Sequence, residues 1–169
     1  MITVFGEQKF KQIKKLGIPV PKYHISSLGE VYSEYSNKIL TPAVTNGKEH
    51  NKSGGKKLNV HIVCPKTYWL DKGGWEYAEG HGCNDMIRFT VTIHRLVMDA
   101  WKPIDEFPPA VLADDWDKAP ESFKQWVRDT AIIDHIDDNP ENNRVENLRW
   151  CTPVENSHHR KKRDFIAEL

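Results

Sequence analysis

The stretch that decides the fold is residues 131–163, which read AIIDHIDDNPENNRVENLRWCTPVENSHHRKKR. Its first three residues are apolar and predict a short strand that ends in Asp134 and His135. Residues 138–140 predict a turn in the loop that follows, because proline presets the backbone angle φ. Residues 148–151 then alternate as a returning strand. The pattern therefore predicts a hairpin with a long loop.

A helix start follows the hairpin directly. Thr152 suits the N-cap, Pro153 the first helical position and Glu155 the third, which together form a capping box. Asn156 then lies in the first turns of a helix, with its side chain free to point back at the hairpin. The order of strand, long loop, strand and helix is expected to bring this amide to the acid and the imidazole that end the first strand.

The residues upstream of the hairpin change period. Apolar and polar residues alternate over 87–93, as in a half-buried strand. Apolar residues then recur at helical spacing over 93–101, and Pro103 ends that helix. Residues 102–131 are an acidic, tryptophan-bearing insertion in which Pro120 opens a short helix. The sequence assigns this insertion no role.

The front of the chain predicts a β-rich part. Residues 1–22 are rich in lysine and end in two prolines that would break any helix. A polar loop is expected over 45–57, and a Gly-rich hairpin closure over 71–84. Short strands are expected at residues 23–26, 28–32, 38–40 and 58–62, with bends at Gly29 and Asn37. We therefore predict an α+β protein with a β-rich module at 1–85 and a second domain at 86–169.

Composition limits the class of protein. The chain has 169 residues, of which 38% are hydrophobic, and no apolar run is long enough to cross a bilayer. The first ten residues lack the features of a secretory signal, which predicts an intracellular, cytoplasmic protein. Three cysteines without a C-x-x-C pair argue against a disulfide framework.

Charge is unevenly distributed although the formal net charge is zero. Residues 1–66 carry eleven lysines against four acidic residues, a net of +7. Residues 103–138 carry ten acidic against three basic residues, a net of −7, and a basic cluster follows at 158–163. A basic front and a basic tail can place two positive surfaces on one polyanion, and the alternative is an ordinary solvated surface.

Several blocks of this sequence resemble the HNH nucleases, whose core is the ββα-metal or His-Me finger, and among them the phage-type homing endonucleases. Residues 93–97 are similar to the helix that precedes the motif in that group, and residues 22–42 resemble the short β module often placed ahead of it. The resemblance implies that the module at 1–85 binds DNA and that the domain at 86–169 has a ββα nuclease core. It also implies a divalent-metal-dependent DNA endonuclease activity and a phage origin. The blocks that carry it stand in order at 133–137, 142–143, 146–148 and 152–156.

The roles of the site residues combine this resemblance with the chemistry of phosphodiester hydrolysis. His135 is the candidate general base, because an imidazole accepts a proton from water near neutral pH. Asp134 and Asn156 are the candidate ligands of one metal ion, and their oxygen atoms make Mg2+ the expected cation, with Mn2+ able to substitute. Asn147, the second candidate catalytic residue, resembles the family's central asparagine and is expected to fix the loop that aims His135. Asn156 stands where many relatives have histidine, so the sequence resembles the HNN variant of the family.

Other residues near the motif receive structural interpretations first. Asp137 and Asp138 are interpreted as solvated turn carboxylates, with a place in the metal shell as the alternative. His94 is similar to a recurrent family residue, and we favour a packing role. We expect buried cysteines rather than structural zinc, because the spacings of a second candidate metal cluster are not those of common zinc folds. That cluster comprises His61, Cys64, His81 and Cys83.

The candidate DNA-contacting residues are all basic and suit the phosphates of double-stranded DNA. They fall on a β-ribbon, at the ends of the hairpin loop and on the helix after the hairpin: Lys56 and Lys57, Arg144 and Arg149, and His158, Arg160, Lys161 and Arg163. For the two arginines the alternative is pairing with Glu141 and Glu146. For the last group the alternative is a solvated tail.

Two other functions stay open on the sequence alone. One is a non-catalytic DNA-binding protein that retained the fold, against which the intact set of site residues argues. The other is an RNA-directed nuclease, for which the sequence has no RNA-binding signature. No membrane partner is expected. A monomer or a homodimer, and a nick or a double-strand break, are equally compatible with the sequence.

Overall fold

The strands in the described part of the chain form three antiparallel sheets. The computed structural model describes residues 2–5, 8–45, 56–74 and 85–159. The first sheet has the order β1 (Ile2–Phe5), β2 (Gln8–Lys15), β3 (Ile18–Ser26), β4 (Val31–Ser33) and β5 (Lys38–Ile39). The second has the order β6 (Ala43–Thr45), β7 (Lys57–Pro65) and β8 (Met86–Thr92). The third pairs β9 (Ile132–His135) with β10 (Leu148–Cys151).

Helices connect and cover these sheets. They are α1 (Lys66–Asp71), α2 (Ile93–Trp101), α3 (Glu121–Thr130) and α4 (153–159), together with short 3-10 helices at Ala110–Asp115 and Val145–Asn147. The predicted α+β class is confirmed, and β9, β10 and α4 form the predicted ββα unit. No helix in the described ranges is both long and apolar enough to span a bilayer.

The Lys-rich front of the chain is a pair of strands that the sequence analysis did not predict. Phe10 and Ile13 of β2 are both fully buried although they stand three residues apart. The register between β2 and β3 shifts between Gln12 and Lys14, where β3 has three more residues than β2. Ile13 belongs to the main apolar core and Phe10 does not, so β2 buries two residues at odd spacing and lacks the strict alternation that identifies a strand.

The predicted strands at 58–62 and 87–93 lie in β7 and β8, which pair along their length. Gly29 and Asn37 occupy the predicted bends with φ of +89° and +51°, the left-handed region that glycine and asparagine tolerate best. Residues 71–84 were expected to close a hairpin. The strands on either side do pair, but the unpredicted helix α1 begins directly after β7, and residues 75–84 lie outside the described part.

Helix α2 packs between the sheets and anchors the core. Its residues Val97 and Met98 are fully buried, and each contributes about 1.5–3 kcal/mol on burial. At its end the Trp101 indole N–H donates to the carbonyl of Ile25 over 3.2 Å, which attaches the helix to the first sheet. The helix therefore holds the first sheet next to the hairpin that carries the candidate site.

The division into residues 1–85 and 86–169 stays a prediction. β7 and β8 lie on either side of that boundary and pair from Asn59 with Thr92 to Pro65 with Met86. One apolar core includes Val20 and Ile25 from the front part and Val97 and Leu148 from the rear part, among others. The two parts thus share one core.

The side chain of Arg128 links separate parts of the acidic insertion. Arg128 of α3 donates to Asp105 over 2.6 and 2.9 Å and to Glu121 over 2.6 Å. Pro120 stands at the N-cap of α3, as the sequence predicts, and Val127 is buried. The other large apolar residues of this helix, Phe123 and Trp126, are exposed and stack on each other.

Candidate active site

The hairpin of β9 and β10 sets the framework of the site. Asp134 pairs in register with Arg149, and His135 pairs with Leu148. Leu148 and Trp150 are buried in the core, so the strand is held firmly from one side. Side chains directly opposite each other on an antiparallel pair lie close enough to interact. The register therefore places Asp134 against Arg149.

Helix α4 begins with the predicted capping box. The Thr152 backbone N–H and hydroxyl both donate to Glu155 Oε2, over 2.8 and 2.9 Å, and the Glu155 N–H donates back to the Thr152 hydroxyl over 3.2 Å. These reciprocal bonds satisfy backbone groups that a helix start otherwise leaves unpaired. They fix the direction in which α4 leaves β10.

Asp134 is a buried carboxylate surrounded by cationic and imidazole groups. Its Oδ2 accepts hydrogen bonds from Arg149 Nε over 3.0 Å and from Arg149 Nη2 over 2.6 Å. Nδ1 of His159, on α4, lies 3.4 Å from the same oxygen and also contacts Arg149. Burial, followed by the charge of Asp134, raises the pKa of the Cys151 thiol to about 11. The contact between His159 and Asp134 thus holds α4 against the end of β9.

The loop between the strands is organised by Asn147. Its Oδ1 accepts from the Asp137 N–H over 3.1 Å, and its Nδ2 donates to the Asn142 carbonyl and to Asp137 Oδ1, each over 2.8 Å. Asn142 donates to the second oxygen of Asp137 over 2.7 Å. This bond and those from Asn139 and Asn147 lower the pKa of Asp137. Asp137 therefore binds the loop itself, as the turn interpretation expects.

His135 is held from two sides. Its Nε2 lies 3.2 Å from Asn143 Oδ1, and its ring meets the ring of His94 edge to face, with centroids 5.6 Å apart. The Thr92 hydroxyl lies 3.3 Å from His94 Nε2. Burial, and then the neighbouring His135 and Lys57, lower the pKa of His94 to about 4. His94 is therefore a neutral ring at neutral pH, in contact with the candidate base.

The predicted DNA-contacting residues fall into three groups. Lys56 lies beside the hairpin loop, 3.7 Å from Glu141, and Lys57 is exposed at the start of β7. Arg144 and His158 are also exposed. For Arg149, the alternative of pairing with Glu141 or Glu146 is wrong, because its guanidinium pairs with Asp134 instead. Arg160, Lys161 and Arg163 lie outside the described residues.

Asp134 and Asn156 fit a hard divalent cation by the chemistry of their donors, since Mg2+ prefers carboxylate and amide oxygens. Within the described residues, every hydrogen bond to Asp134 ends on Oδ2 and none on Oδ1. Asn156 is half-buried on α4, one turn before His159. No cluster of three or more His, Cys, Asp or Glu side chains suited to a metal occurs in the described ranges. A cation at Asp134 would therefore be completed by amide, water and substrate oxygens.

Two residues of the second candidate metal cluster, His61 and Cys64, lie on the same strand, β7. His61 is exposed and bonds to Thr90, whereas Cys64 is fully buried. Residues three apart on a strand point to opposite faces, so these two side chains do not converge. His81 and Cys83 lie outside the described residues.

Comparison with known proteins finds a family model that matches the hairpin and its helix. Residues 127–158 match the model described as HNH endonuclease. This segment is therefore similar to HNH endonucleases. It spans β9, the loop, β10 and nearly all of α4, so the resemblance inferred from the sequence blocks is confirmed.

The chain is similar to a viral protein and to a solved structure. It is 26% identical over 164 residues to an uncharacterised HNH endonuclease, L245, of Acanthamoeba polyphaga mimivirus. That match covers 95% of this chain but 34% of the relative, so the chain spans about a third of the relative's length. The similar structure, titled "DNA binding and cleavage by the HNH homing endonuclease I-HmuI", has a TM-score of 0.51 and 22% identity, over 92% of this chain and 59% of that one. The likeness confirms the fold.

Two site residues were missed by the sequence analysis. His159 was treated as one member of a basic cluster, although it lies three residues after Asn156 and so shares its helix face. That spacing was a usable signal. Asn143 lies in one of the blocks that carry the resemblance but received no role of its own, and no local pattern distinguishes it from its neighbour Asn142, because its contact with His135 depends on how the loop folds.

Proposed function

We propose that this HNH protein is a divalent-metal-dependent DNA endonuclease of the homing type that hydrolyses phosphodiester bonds in double-stranded DNA. The observation that supports it most directly is the end of β9. There Asp134 is held against α4 by His159, and His135 is held by the loop, within the segment that matches the HNH endonuclease model. The names of the viral relative and the similar structure support the same class.

His135 acts as the general base in this proposal. It accepts the proton of the attacking water, a role that imidazole fills near neutral pH. Consecutive residues of a strand point to opposite sides, so His135 and Asp134 can flank one scissile phosphate. Asn147 contributes by keeping the loop after His135 in one conformation through its bonds to Asp137 and Asn142.

Asp134 and Asn156 would hold the metal ion, with Mg2+ as the expected cation and Mn2+ as a substitute. When bound, the cation supplies positive charge that stabilises the oxygen leaving the phosphorus atom. When no cation is bound, Arg149 compensates the charge of Asp134, because its guanidinium forms two hydrogen bonds to Oδ2. This pairing keeps a buried carboxylate compensated.

Basic residues around the site would bind the DNA backbone. Four of them are exposed in the structure: Lys56 just before β7, Lys57 at its start, Arg144 on the loop and His158 on α4. Lys56 lies 3.7 Å from Glu141 on the hairpin loop, so its positive charge lies beside the candidate site, where it could contact a phosphate of the DNA. We assign Arg160, Lys161 and Arg163 to the same role from the sequence.

The test is plasmid cleavage with Mg2+ or Mn2+ against EDTA, for the unmodified protein and for His135→Ala. We expect the substitution to lower the cleavage rate by about a hundredfold to ten-thousandfold, the usual contribution of a general base. DNA binding, measured in a gel-shift assay with EDTA, should be unchanged. The matched control is His61→Ala, which removes an exposed imidazole from β7.

The outcomes separate the candidate functions. Equal cleavage by His135→Ala and the unmodified protein would contradict the base assignment. DNA binding without cleavage under either cation would support the non-catalytic alternative. Cleavage of duplex RNA in preference to duplex DNA would replace the proposed substrate.

A further inference from the structure

Asn143 is a buried amide that joins the candidate base to the first sheet. Its side chain is almost fully buried, at 4% exposure, and its Oδ1 lies 3.2 Å from His135 Nε2. On its other side it packs against the turn between β3 and β4. The Val145 N–H, two residues later, donates to the carbonyl of Ser27 in that same turn over 2.8 Å.

The hydrogen bonds of Asn143 determine which way its amide points. Nδ2 lies 3.4 Å from the carbonyl oxygen of Pro140 and 3.3 Å from that of Glu141. Carbonyl oxygens only accept hydrogen bonds, so the amide nitrogen must face them. The opposite orientation would set the amide oxygen against two carbonyl oxygens. The amide oxygen therefore faces His135.

The orientation of this amide determines the tautomer of His135. An amide oxygen only accepts, so His135 Nε2 must carry the hydrogen in the neutral ring. The lone pair then lies on Nδ1, the nitrogen that remains to accept a proton. In this tautomer the neutral ring accepts a proton only at Nδ1.

The turn at residues 26–30 supports Asn143 from behind. Gly29 has a φ of +89°, and a Cβ on this residue would lie 3.0 Å from Asn143 Cβ and 3.2 Å from its carbonyl oxygen. It would also lie 3.3 Å from Ile93 Cγ2. The turn itself is closed by the Ser26 hydroxyl, which accepts from the Glu30 N–H over 3.0 Å. A side chain at this position would therefore have to displace the loop by a few tenths of an ångström, and the positive φ itself favours glycine.

We propose that Asn143 is a positioning residue that holds His135 in the tautomer with its hydrogen on Nε2, and that the turn at residues 26–30 of the first sheet keeps Asn143 in place. The link to catalysis rests on the proposed function, whereas the tautomer and its support are properties of the fold. The first sheet thus has a part in the site in addition to any contact with DNA.

The first experiment measures the tautomer directly, by the imidazole 15N chemical shifts of the full chain at about pH 8, where histidine is neutral. We expect the His135 signals of a ring protonated on Nε2. The variant is Asn143→Leu, which is similar in size but has no acceptor oxygen for His135. It should give a mixture of both tautomers.

The same measurement can overturn the proposal without any variant. An Nδ1–H tautomer of His135 in the unmodified protein would contradict it. So would a tautomer that stays fully Nε2–H in Asn143→Leu. This readout needs neither metal nor cleavage, so an inactive protein would refute the proposed function and still leave the tautomer decided.

The second experiment tests the support from the first sheet, with Gly29→Ala compared with Gly17→Ala. Both glycines have positive φ, +89° and +79°, so both variants carry similar backbone strain. A Cβ at Gly17 meets nothing within 4 Å. We expect Gly29→Ala to lower kcat about tenfold with little change in KM for DNA, and to shift the His135 tautomer, while Gly17→Ala keeps both. Equal effects of the two variants would contradict the supporting role.

Discussion

Asp134 and His135 are consecutive residues on β9, yet their surroundings differ in charge. Asp134 faces the guanidinium of Arg149 and the imidazole of His159. His135 faces the amide of Asn143 and the ring of His94, whose pKa of about 4 keeps it neutral. One strand thus separates a charged side that suits a metal ligand from an uncharged side that suits a base. The alternation of side chains along a strand makes this separation possible within two residues.

The largest expected effect concerns the uncharged side, where acid should charge His94. Its pKa is lowered in the folded protein from an ordinary 6.5 to about 4, so the unfolded chain binds more protons between these values. The stability that depends on this neutral ring is fully present above pH 6.5 and is lost as the pH falls toward 4. The shift corresponds to about 3 kcal/mol at most.

The test is urea unfolding between pH 4 and 7 for His94→Gln and the unmodified protein. We expect the variant to lose less of its unfolding free energy at acid pH, by up to about 3 kcal/mol. His61→Gln, which removes an exposed histidine, is the control and should keep the acid dependence of the unmodified protein. An unchanged dependence in His94→Gln would show that the ring next to His135 is not held neutral.

The charged and uncharged sides also differ in how well the sequence predicts them. The hairpin, the capping box and the placement of Asp134 and His135 follow from short local patterns, each of which has a physical cause within a few residues. The partner of Arg149 does not, because its choice of Asp134 over Glu141 or Glu146 depends on the register of β9 and β10. Likewise β2 was not predicted, because its buried residues Phe10 and Ile13 stand three apart and break the alternation that identifies a strand.

A smaller effect concerns the charged side, where Arg149 and a metal ion compete for Asp134. Replacing Arg149 by Met removes the guanidinium and leaves the carboxylate uncompensated. We expect Arg149→Met to bind Mn2+ about tenfold more tightly without DNA, equivalent to about 1.4 kcal/mol. The measurement is calorimetry with Mn2+ alone.

The matched control for this change is Arg144→Met, which removes one positive charge from an exposed position on the loop that precedes β10. It separates a direct exchange at Asp134 from a general change in the electrostatic potential. Equal affinities for the two variants would mean that Arg149 and the metal do not share the carboxylate. Weaker binding in Arg149→Met would instead assign the arginine a supporting role in the metal site.

The smallest effect concerns the helix that brings His159 to the charged side. Thr152→Ala removes the hydroxyl that accepts from the Glu155 N–H and donates to its carboxylate, at a cost of about 1 kcal/mol in the free energy of unfolding. Glu155→Gln keeps an acceptor for the Thr152 N–H and is expected to retain most of the stability. Urea unfolding measures the change in unfolding free energy of both variants, with an unchanged m-value as the sign that only stability has changed. If the two variants lose equally, the negative charge of Glu155 near the helix N-terminus, rather than the reciprocal bonding, is what stabilises α4.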